Sequence, residues 1–306
     1  MNTETRLNPP IIVYPYAGSV FHQDLARRLH RACEENSISV ELYSSAEFRD
    51  MDKARLRGTT LLIVNPWECV HELPKVQRFY EQLAKAGKRL MVLAEAVEVK
   101  WFDRQLNLPI EYDAFIDVGF VPQEEKLTDS SLPYIFLFHG LTAREEEQVA
   151  KITAANRPIP WAFIGHRRDD RIRMAAEMAE KIDSAGLVFL PNTGSGVRKG
   201  KGMIGPSGMN SSLARTQCYV WRSHHDFRYY ESFRFREAIL AGAAPCKIDS
   251  EIDWRGYEIP GIFHSLEEFA DTLNNEGFEK IQTSARDFYL MGGRLAKHLE
   301  GVLENV

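Results

Sequence analysis

The stretch YYESFRFREAILAGAAP, Tyr229–Pro245, decides how the C-terminal half of the chain is expected to fold. Its apolar residues Phe233, Ile239 and Leu240 can face a core from one helix, and Gly242 is a typical helix stop. A short proline-bearing strand follows the glycine. A helix that ends in glycine and leads straight into a strand is typical of a parallel α/β sheet.

The front of this predicted helix carries three polar residues, Ser232, Arg234 and Glu237. A helix start offers free backbone N–H groups and the positive end of the helix dipole, so it is suited to hold a phosphate. Arg234 and Glu237 are three residues apart and therefore point to one side. The alternative is an ion pair on a solvated helix face.

The phrase Ser-x-Arg-x-x-Glu-Ala-x-x-Ala-Gly-x-x-Pro begins at Ser232 and resembles the donor-binding signature of exostosin-type and spore-maturation-type glycosyltransferases, which have the GT-B fold. The resemblance implies that Glu237 binds the ribose hydroxyls of a nucleotide-sugar, with Ser232 and Arg234 near its pyrophosphate. Tyr230, just before the helix, joins this set of donor-binding candidates. Many GT-B enzymes have a second glutamate at another spacing, so the resemblance assigns no role to Glu231.

Length and composition describe a globular protein. The chain has 306 residues, enough for two domains, with 44% hydrophobic and 26% charged residues. Its net charge of −5 gives no overall attraction to nucleic acid. Four scattered cysteines show no metal or redox spacing and are expected to be reduced and mostly buried. No signal region or apolar run of ~20 residues is present, so we expect a cytoplasmic protein without a membrane span.

Apolar strands alternate with helical patterns through the first half of the chain. The clearest strands are Ile11–Tyr14, Thr59–Val64 and Arg89–Ala94. The pattern predicts a doubly wound, parallel, Rossmann-like domain at residues 1–155. Asn65–Glu68 follow a buried strand, where open α/β sheets place their ligand-contacting loops. The dinucleotide fingerprint is missing, which disfavours an unrelated Rossmann oxidoreductase.

A second βα series follows the proline-rich boundary Asn156–Pro160 and predicts another Rossmann-like domain at 156–285. Its first strand ends at Gly165, and basic residues open the next helix. The GT-B resemblance implies that Gly165 lets the backbone approach the donor, and that Arg167, Arg168 or Arg171 meets the pyrophosphate. It also implies two domains facing a cleft, with a helix at 286–306 that packs back on the first domain.

Two further polar stretches bear on ligand binding. The glycine-rich basic segment Gly194–Gly202 lacks P-loop spacing, and it reads equally as a substrate loop or a surface hairpin. His224–Asp226 make a poor metal site, because adjacent residues rarely point at one ion and no third histidine is nearby. Their position before the donor helix favours sugar or phosphate contacts, with His225 as the candidate. We therefore expect no metal, and no cofactor beyond the nucleotide-sugar co-substrate.

The predicted function is transfer of a hexosyl or pentosyl group from a nucleoside-diphosphate sugar, such as a UDP-sugar, to a carbohydrate or other hydroxyl acceptor. An inverting reaction needs a base, whereas a retaining one does not, and the sequence leaves both open. The base candidates lie at predicted strand ends of the first domain: His22, His71, Glu95, Asp117 and His139. Glu95 is preferred, and His139 and Asp117 are kept beside it.

Two alternative functions fit the same sequence. One is a glycosyltransferase that modifies DNA bases and holds DNA with Arg198–Lys201, which the net charge disfavours. The other is a nucleotide-sugar-binding relative that has lost catalysis.

Overall fold

The computed structural model describes residues 8–17, 20–94, 99–119, 131–152, 156–165, 167–182, 184–191, 206–222, 230–249 and 259–305. These residues form two compact units. Unit 1 consists of the described residues of Met1–Ala143, Tyr229–Glu231 and Gly293–Val306. Unit 2 consists of those of Arg144–Arg228 and Ser232–Gly292.

Unit 1 is built on a six-stranded sheet. Its strands are β1 (Ile11–Tyr14), β2 (Glu41–Ser44), β3 (Thr60–Val64), β4 (Lys88–Leu93), β5 (Ala114–Asp117) and β6 (Tyr134–Phe136). They lie in the order β2-β1-β3-β4-β5-β6, and every neighbouring pair is parallel. The central strands read as continuous apolar runs because parallel sheets of this kind are covered on both faces.

The helices of unit 1 connect these strands. They are α1 (Val20–Glu35), α2 (Ser45–Arg49), α3 (Pro66–Val70), α4 (Val76–Leu83), α5 (Val99–Leu106) and the later α12 (Leu295–Asn305), with a 3-10 turn at Lys53–Leu56. Helices α2 and α3 follow their strands at once and are only five residues long. The sequence pattern did not predict either, because one turn is too short to show a 3.6-residue period.

Unit 2 is built on a five-stranded sheet. Its strands are β7 (Ile159–Ile164), β8 (Leu187–Phe189), β9 (Thr216–Arg222), β10 (Ala244–Ile248) and β11 (Ile262–Phe263). The order is β11-β10-β9-β7-β8, again with parallel neighbours throughout. The helices are α6 (Ala143–Ala150), α7 (Asp169–Lys181), α8 (Pro206–Leu213), α9 (Ser232–Ala241), α10 (Leu266–Glu276) and α11 (Phe278–Gly292).

The two faces of the unit 2 sheet differ. Cys218 and Val220 of β9 belong to an apolar core that also contains Met178 of α7 and Phe269 of α10. Side chains alternate along a strand, so Tyr219 and Trp221 point to the opposite face. There the ring of Trp221 meets that of Phe235 on α9 edge to face, with the ring centroids 4.9 Å apart. Helix α9 therefore covers the face of the sheet that carries these aromatic residues.

The C-terminal segment forms the two helices α11 and α12, and the break between them falls inside the helix predicted at 286–306. The break falls at Gly293, which has a φ of 91°. Beyond it, the Leu295 N–H donates to the carbonyl of Leu141, and α12 packs on α1. A side chain at Gly140 would collide with the Gly293 carbonyl, so this approach of two chain segments requires glycine. These contacts all lie within unit 1.

In each sheet the order in which successive strands are added reverses at one point. In unit 1, β1 has β2 on one side and β3 on the other; in unit 2, β7 lies between β8 and β9. In open α/β sheets, ligands bind outside the carboxyl ends of the strands at such a switch point. A ligand site in this fold is therefore expected among the residues that follow β1, β3, β7 and β9.

The structure confirms the predicted mixed α/β class, with two parallel sheets consistent with a two-domain Rossmann-like arrangement. All four cysteines are free and buried, as expected. Within the described residues, no helix is long and apolar enough to cross a bilayer.

Candidate functional site

In unit 1, polar residues gather at the switch point because β3 runs directly into a capped helix. Asn65 follows β3 and adopts a left-handed backbone conformation, with a φ of 47°. Asparagine tolerates this conformation better than most residues. Its Oδ1 accepts a hydrogen bond from the backbone N–H of Glu68 at 3.3 Å, which caps α3. The cap places Glu68 one turn beyond the strand end.

Glu68 binds a histidine from the neighbouring chain segment. The Nδ1 atom of His22, near the start of α1, lies 2.9 Å from Glu68 Oε2. The His22 side chain is only 5% exposed, whereas that of Glu68 is 21% exposed. When the imidazole is neutral, this hydrogen bond places its proton on Nδ1 and leaves Nε2 as the basic nitrogen. The pair thus has the arrangement of a general base with an orienting carboxylate.

The amide of Asn65 also touches the imidazole. Its Nδ2 lies 3.1 Å from His22 Nε2 and 3.5 Å from Nδ1. A donor aligned with the in-plane lone pair of Nε2 would lie much farther from the other ring nitrogen. The amide nitrogen therefore lies toward the face of the ring, and the in-plane lone pair of Nε2 does not point at it.

Gln105 completes this network from α5. Its Nε2 donates to Asn65 Oδ1 at 3.2 Å, and its Oε1 accepts from the backbone N–H of Trp67 at 2.7 Å. Gln105 is 2% exposed. The Trp67 ring stacks on His71 with the centroids 4.4 Å apart, and the Arg104 guanidinium carbon lies 5.3 Å from it. The backbone of Trp67 thus belongs to the polar cluster, and its ring contacts an imidazole and a guanidinium group.

In unit 2, the switch point carries a guanidinium group. Arg234 of α9 reaches the end of β7, where its Nη1 donates to the carbonyl of Ile164 at 3.1 Å. The same nitrogen donates to the Tyr219 hydroxyl at 2.5 Å. These two bonds fix a positive charge at the carboxyl end of β7, beside the predicted donor residue Gly165. Arg234 is half-buried.

Gly165 and Arg171 meet at the same place. A Cβ at Gly165 would lie 2.8 Å from Arg171 Nη1, so the absence of a side chain lets this guanidinium approach the strand end. Arg171 is 1% exposed, whereas Arg167 is exposed and donates its backbone N–H to the Pro191 carbonyl at 3.1 Å. The structure therefore brings Gly165, Arg171 and Arg234 together.

The remaining donor candidates lie along or before α9. Ser232 is the first residue of the helix, and its carbonyl accepts a hydrogen bond from Tyr289 at 3.1 Å. Glu237 is half-buried in the middle of the helix. Tyr230 is buried and belongs to unit 1, although Ser232 two residues later belongs to unit 2. Glu231 between them has a φ of 56°, so the backbone turns sharply there.

Arg236 has a different environment from Arg234. Its Nε and Nη2 donate to Glu145 Oε1 at 3.0 and 2.8 Å, and both side chains are almost fully buried. This ion pair ties α9 to α6 within unit 2.

Of the three preferred catalytic candidates, Asp117 and His139 lie within the described residues. Glu95 and the donor candidate His225 lie outside the described residues. Asp117 is fully buried and accepts hydrogen bonds from the Gly119 N–H and the Tyr134 hydroxyl, both at 2.7 Å. His139 is buried against the Arg28 guanidinium, which also donates to the Gly140 carbonyl at 2.8 Å. Asp117 and His139 therefore take part in interior hydrogen-bond networks.

The sequence did not predict two pairings that the structure shows, His22 with Glu68 and Lys247 with Asp249. His22 was one of five base candidates and Glu68 lay in a predicted ligand loop, and both follow strands that flank the switch point. Lys247 of β10 is fully buried and lies 3.0 Å from Asp249, measured from Nζ to Oδ2. Its signal was a lysine inside an apolar strand with an aspartate two residues later, on the same side of the chain.

The architecture and the two strand-end clusters define a two-unit α/β protein of Rossmann-like type. No model of a known protein family matches the chain, and no curated protein shows significant similarity to it. Among the residues that the structure describes, no group of three or more His, Cys, Asp or Glu side chains is placed to hold a metal ion.

Proposed function

We propose that this protein is a glycosyltransferase of the GT-B type that transfers a sugar from a nucleoside-diphosphate sugar to an acceptor hydroxyl. In this proposal unit 2 binds the donor and unit 1 binds the acceptor. The observation that carries it is the position of Arg234, whose guanidinium is held at the carboxyl end of β7, at a switch point. That is the location at which doubly wound sheets bind nucleotides.

The donor half rests on charge and on the resemblance of the Ser232–Pro245 phrase to a donor-binding signature. Arg234 and Arg171 carry positive charge to the strand end beside Gly165. A leaving diphosphate gains negative charge in the transition state, and fixed positive groups stabilise it by several kcal/mol. Glu237, later on the same helix, is assigned to the ribose hydroxyls.

The acceptor half rests on His22 and Glu68. In the proposed step, His22 Nε2 takes the proton of the acceptor hydroxyl while the acceptor oxygen attacks the anomeric carbon. The bond between that carbon and the diphosphate oxygen breaks, and the nucleoside diphosphate leaves with the electron pair. Glu68 holds the Nδ1 proton and stabilises the resulting imidazolium. Such a direct displacement inverts the anomeric configuration.

The test begins with binding. A thermal-shift screen against uridine, guanosine and other nucleoside diphosphates should identify the base, and the corresponding nucleotide-sugar should then be titrated calorimetrically. Glu237→Ala should weaken donor binding at least about tenfold, since hydrogen bonds to a charged group contribute about 1.5–3 kcal/mol. Glu180→Ala, an exposed glutamate of α7 in the same unit, is the matched control.

Two results would contradict the assignment. One is that no nucleoside diphosphate binds, and the other is that Glu237→Ala binds the nucleotide-sugar as tightly as the wild type. If donor binding holds, the anomeric configuration of the product, read by NMR, decides whether a base-assisted inversion is correct.

A further inference from the structure

The hydroxyl of Tyr219 lies where the Arg234 side chain meets the sheet of unit 2. Tyr219 belongs to β9, and the register pairs it with Ala162 of the neighbouring strand β7. Its hydroxyl oxygen is 2.5 Å from Arg234 Nη1, and the guanidinium carbon is 6.0 Å from the centre of its ring. Tyr219 is 1% exposed, so its hydroxyl acts on the arginine and not on a ligand in the solvent.

Aromatic packing fixes the position of this hydroxyl. The centre of the Tyr219 ring lies 5.0 Å from that of Trp221, which in turn meets Phe235 of α9 edge to face at 4.9 Å. Trp221 is 1% exposed and Phe235 is fully buried. A tyrosine side chain has only two rotatable χ angles, so a ring enclosed in this way presents its oxygen at one place. Phe235 directly follows Arg234 in the chain, and its packing also positions the helix that carries the arginine.

The two acceptors of Arg234 Nη1 orient the guanidinium plane. This nitrogen carries two N–H groups, and its acceptors are the Tyr219 hydroxyl and the carbonyl of Ile164, the latter at 3.1 Å. Nη1 lies on the same side of the group as Cδ, so the opposite edge consists of the parallel N–H groups of Nε and Nη2. That edge has the geometry of a fork for two oxygen atoms of a phosphate. Tyr219 and Ile164, on neighbouring strands, thus determine where the fork points.

We propose that Tyr219 is a positioning residue for anion binding in unit 2: its hydroxyl holds the Arg234 guanidinium in the orientation that binds a diphosphate. The inference rests on the proposed function for the identity of this diphosphate, which is that of the nucleotide-sugar. Tyr219 itself does not touch the ligand.

The direct test is Tyr219→Phe in the full chain, measured by calorimetric titration with inorganic pyrophosphate. Phenylalanine keeps the ring contact with Trp221 and removes the oxygen that accepts from Arg234. The Kd for pyrophosphate should rise about three- to tenfold, the factor that corresponds to the net contribution of one hydrogen bond. Tyr134→Phe, which removes a tyrosine hydroxyl that donates to Asp117 in unit 1, is the matched control and should leave this Kd unchanged.

A double-mutant cycle separates positioning from a general loss of structure. In an Arg234→Met background the guanidinium is absent, so Tyr219→Phe should cause no further loss of pyrophosphate affinity. The nucleoside of the base that the thermal-shift screen identifies has no phosphate, and it should bind to wild type and Tyr219→Phe equally. A change that merely loosened unit 2 would weaken both ligands and would persist without the arginine. Circular dichroism and thermal unfolding establish that each variant is folded.

Any of four results would overturn the inference. The wild type does not bind pyrophosphate, or folded Tyr219→Phe binds it as tightly as the wild type does. Alternatively, Tyr219→Phe causes the same loss in the Arg234→Met background, or it weakens the nucleoside as much as pyrophosphate.

The proposed function fails by a different result. With donor and acceptor identified, Tyr219→Phe should lower kcat/KM for the donor by at least the factor lost in pyrophosphate affinity, because negative charge on the diphosphate grows in the transition state. If pyrophosphate binding depends on Tyr219 through Arg234 but no nucleotide-sugar is bound or turned over, the glycosyltransferase assignment fails and the anion site stands. If sugar transfer occurs and Tyr219→Phe changes neither quantity, only the role of Tyr219 fails.

Discussion

The switch points of the two units have the same topology and opposite chemistry. Unit 1 presents an imidazole paired with a carboxylate, His22 and Glu68, whereas unit 2 presents the guanidinium groups of Arg171 and Arg234. One set is suited to move a proton and the other to hold an anion. A doubly wound sheet determines where a site lies, and the residues beyond its strands determine what the site can do.

The two clusters also differ in how the chain assembles them. In unit 1, His22 and Glu68 come from the segments that directly follow the two strands at the switch point, β1 and β3. In unit 2, Arg234 belongs to a helix that follows β9 and reaches across to the carboxyl end of β7. The first arrangement depends on local loops, and the second depends on the packing of α9 against the sheet.

The largest effect is expected from His22→Ala, which removes the proposed base. Sugar transfer should fall about 10²–10⁴-fold in kcat, while the affinity for the nucleotide-sugar should stay unchanged, because this change touches unit 1 only. The measurements are steady-state product formation and calorimetric donor binding. His30→Ala on the same helix, whose imidazole lies 3.4 Å from Glu34, is the control and should leave both quantities near wild type.

The opposite result would contradict the assignment of a proton-transfer role to the unit 1 cluster. If His22→Ala weakened donor binding and left kcat intact, the imidazole of unit 1 would be a ligand for the nucleotide rather than a base.

The second largest effect is expected on the free energy of unfolding, from Arg236, one of the two arginines of α9. Arg236→Met leaves the Glu145 carboxylate buried without its guanidinium partner, and should lower the free energy of unfolding by about 3–5 kcal/mol. Chemical denaturation measures it, with Arg173→Met, an exposed change on α7, as the control. The double variant Arg236→Met with Glu145→Met should recover much of the loss. A single variant as stable as wild type would mean that the pair does not hold α6 to α9.

Much of this fold could be predicted because apolar strands and amphipathic helices alternate so regularly. The doubly wound order was expected, and the two parallel sheets have it. The misses are local. Strand β6 ends at Phe136, three residues before His139. A break at Gly293 divides the helix predicted at 286–306, and the adjacent Gly292 and Gly293 were the available signal. Short helices such as α3 have no readable period.

The candidate site was predictable only in part. The residues that follow strands, including His22 and Asn65–Glu68, could be picked out as candidates from position alone. Their pairing could not, because the contact between His22 and Glu68 depends on β1 and β3 being neighbours in the sheet. Burial also separated candidates that looked alike in sequence: Asp117 is interior and bound by two donors, whereas Glu68 is partly exposed.

The third effect tests the charge at the unit 2 switch point. Arg234→Met should keep much of the side-chain volume but remove the guanidinium, and should raise the donor Kd about tenfold or more, since a hydrogen bond to a charged group contributes about 1.5–3 kcal/mol. Calorimetric titration with the nucleotide-sugar measures it. Stability should change much less than in Arg236→Met, because Arg234 is half-buried and Arg236 is buried against a carboxylate. If the donor affinity is unchanged, Arg234 has a structural role and does not bind the donor.

The smallest effect is expected from one of two glutamates of unit 1 that occupy the third position of short helices, α2 after β2 and α3 after β3. Glu68 in α3 turns to His22, whereas Glu47 in α2 closes a capping box with Ser44. The hydrogen bonds that the Ser44 hydroxyl and backbone N–H donate to this carboxylate lower the pKa of Glu47 below its ordinary value. A carboxyl whose pKa is lowered by folding stabilises the protein above its unfolded pKa, and the contribution disappears as the pH falls through the folded value.

Glu47→Ala should therefore cost about 0.3–1 kcal/mol of unfolding free energy at neutral pH, and the difference from wild type should shrink on acidification. Urea denaturation at a series of pH values measures this, with exposed Glu34→Ala on α1 as the control. Alanine is a better helix former than glutamate, so a loss that is independent of pH would show that Glu47 acts through contacts that do not depend on its charge. Glu47→Ala should leave sugar transfer unchanged, in contrast to a change at Glu68.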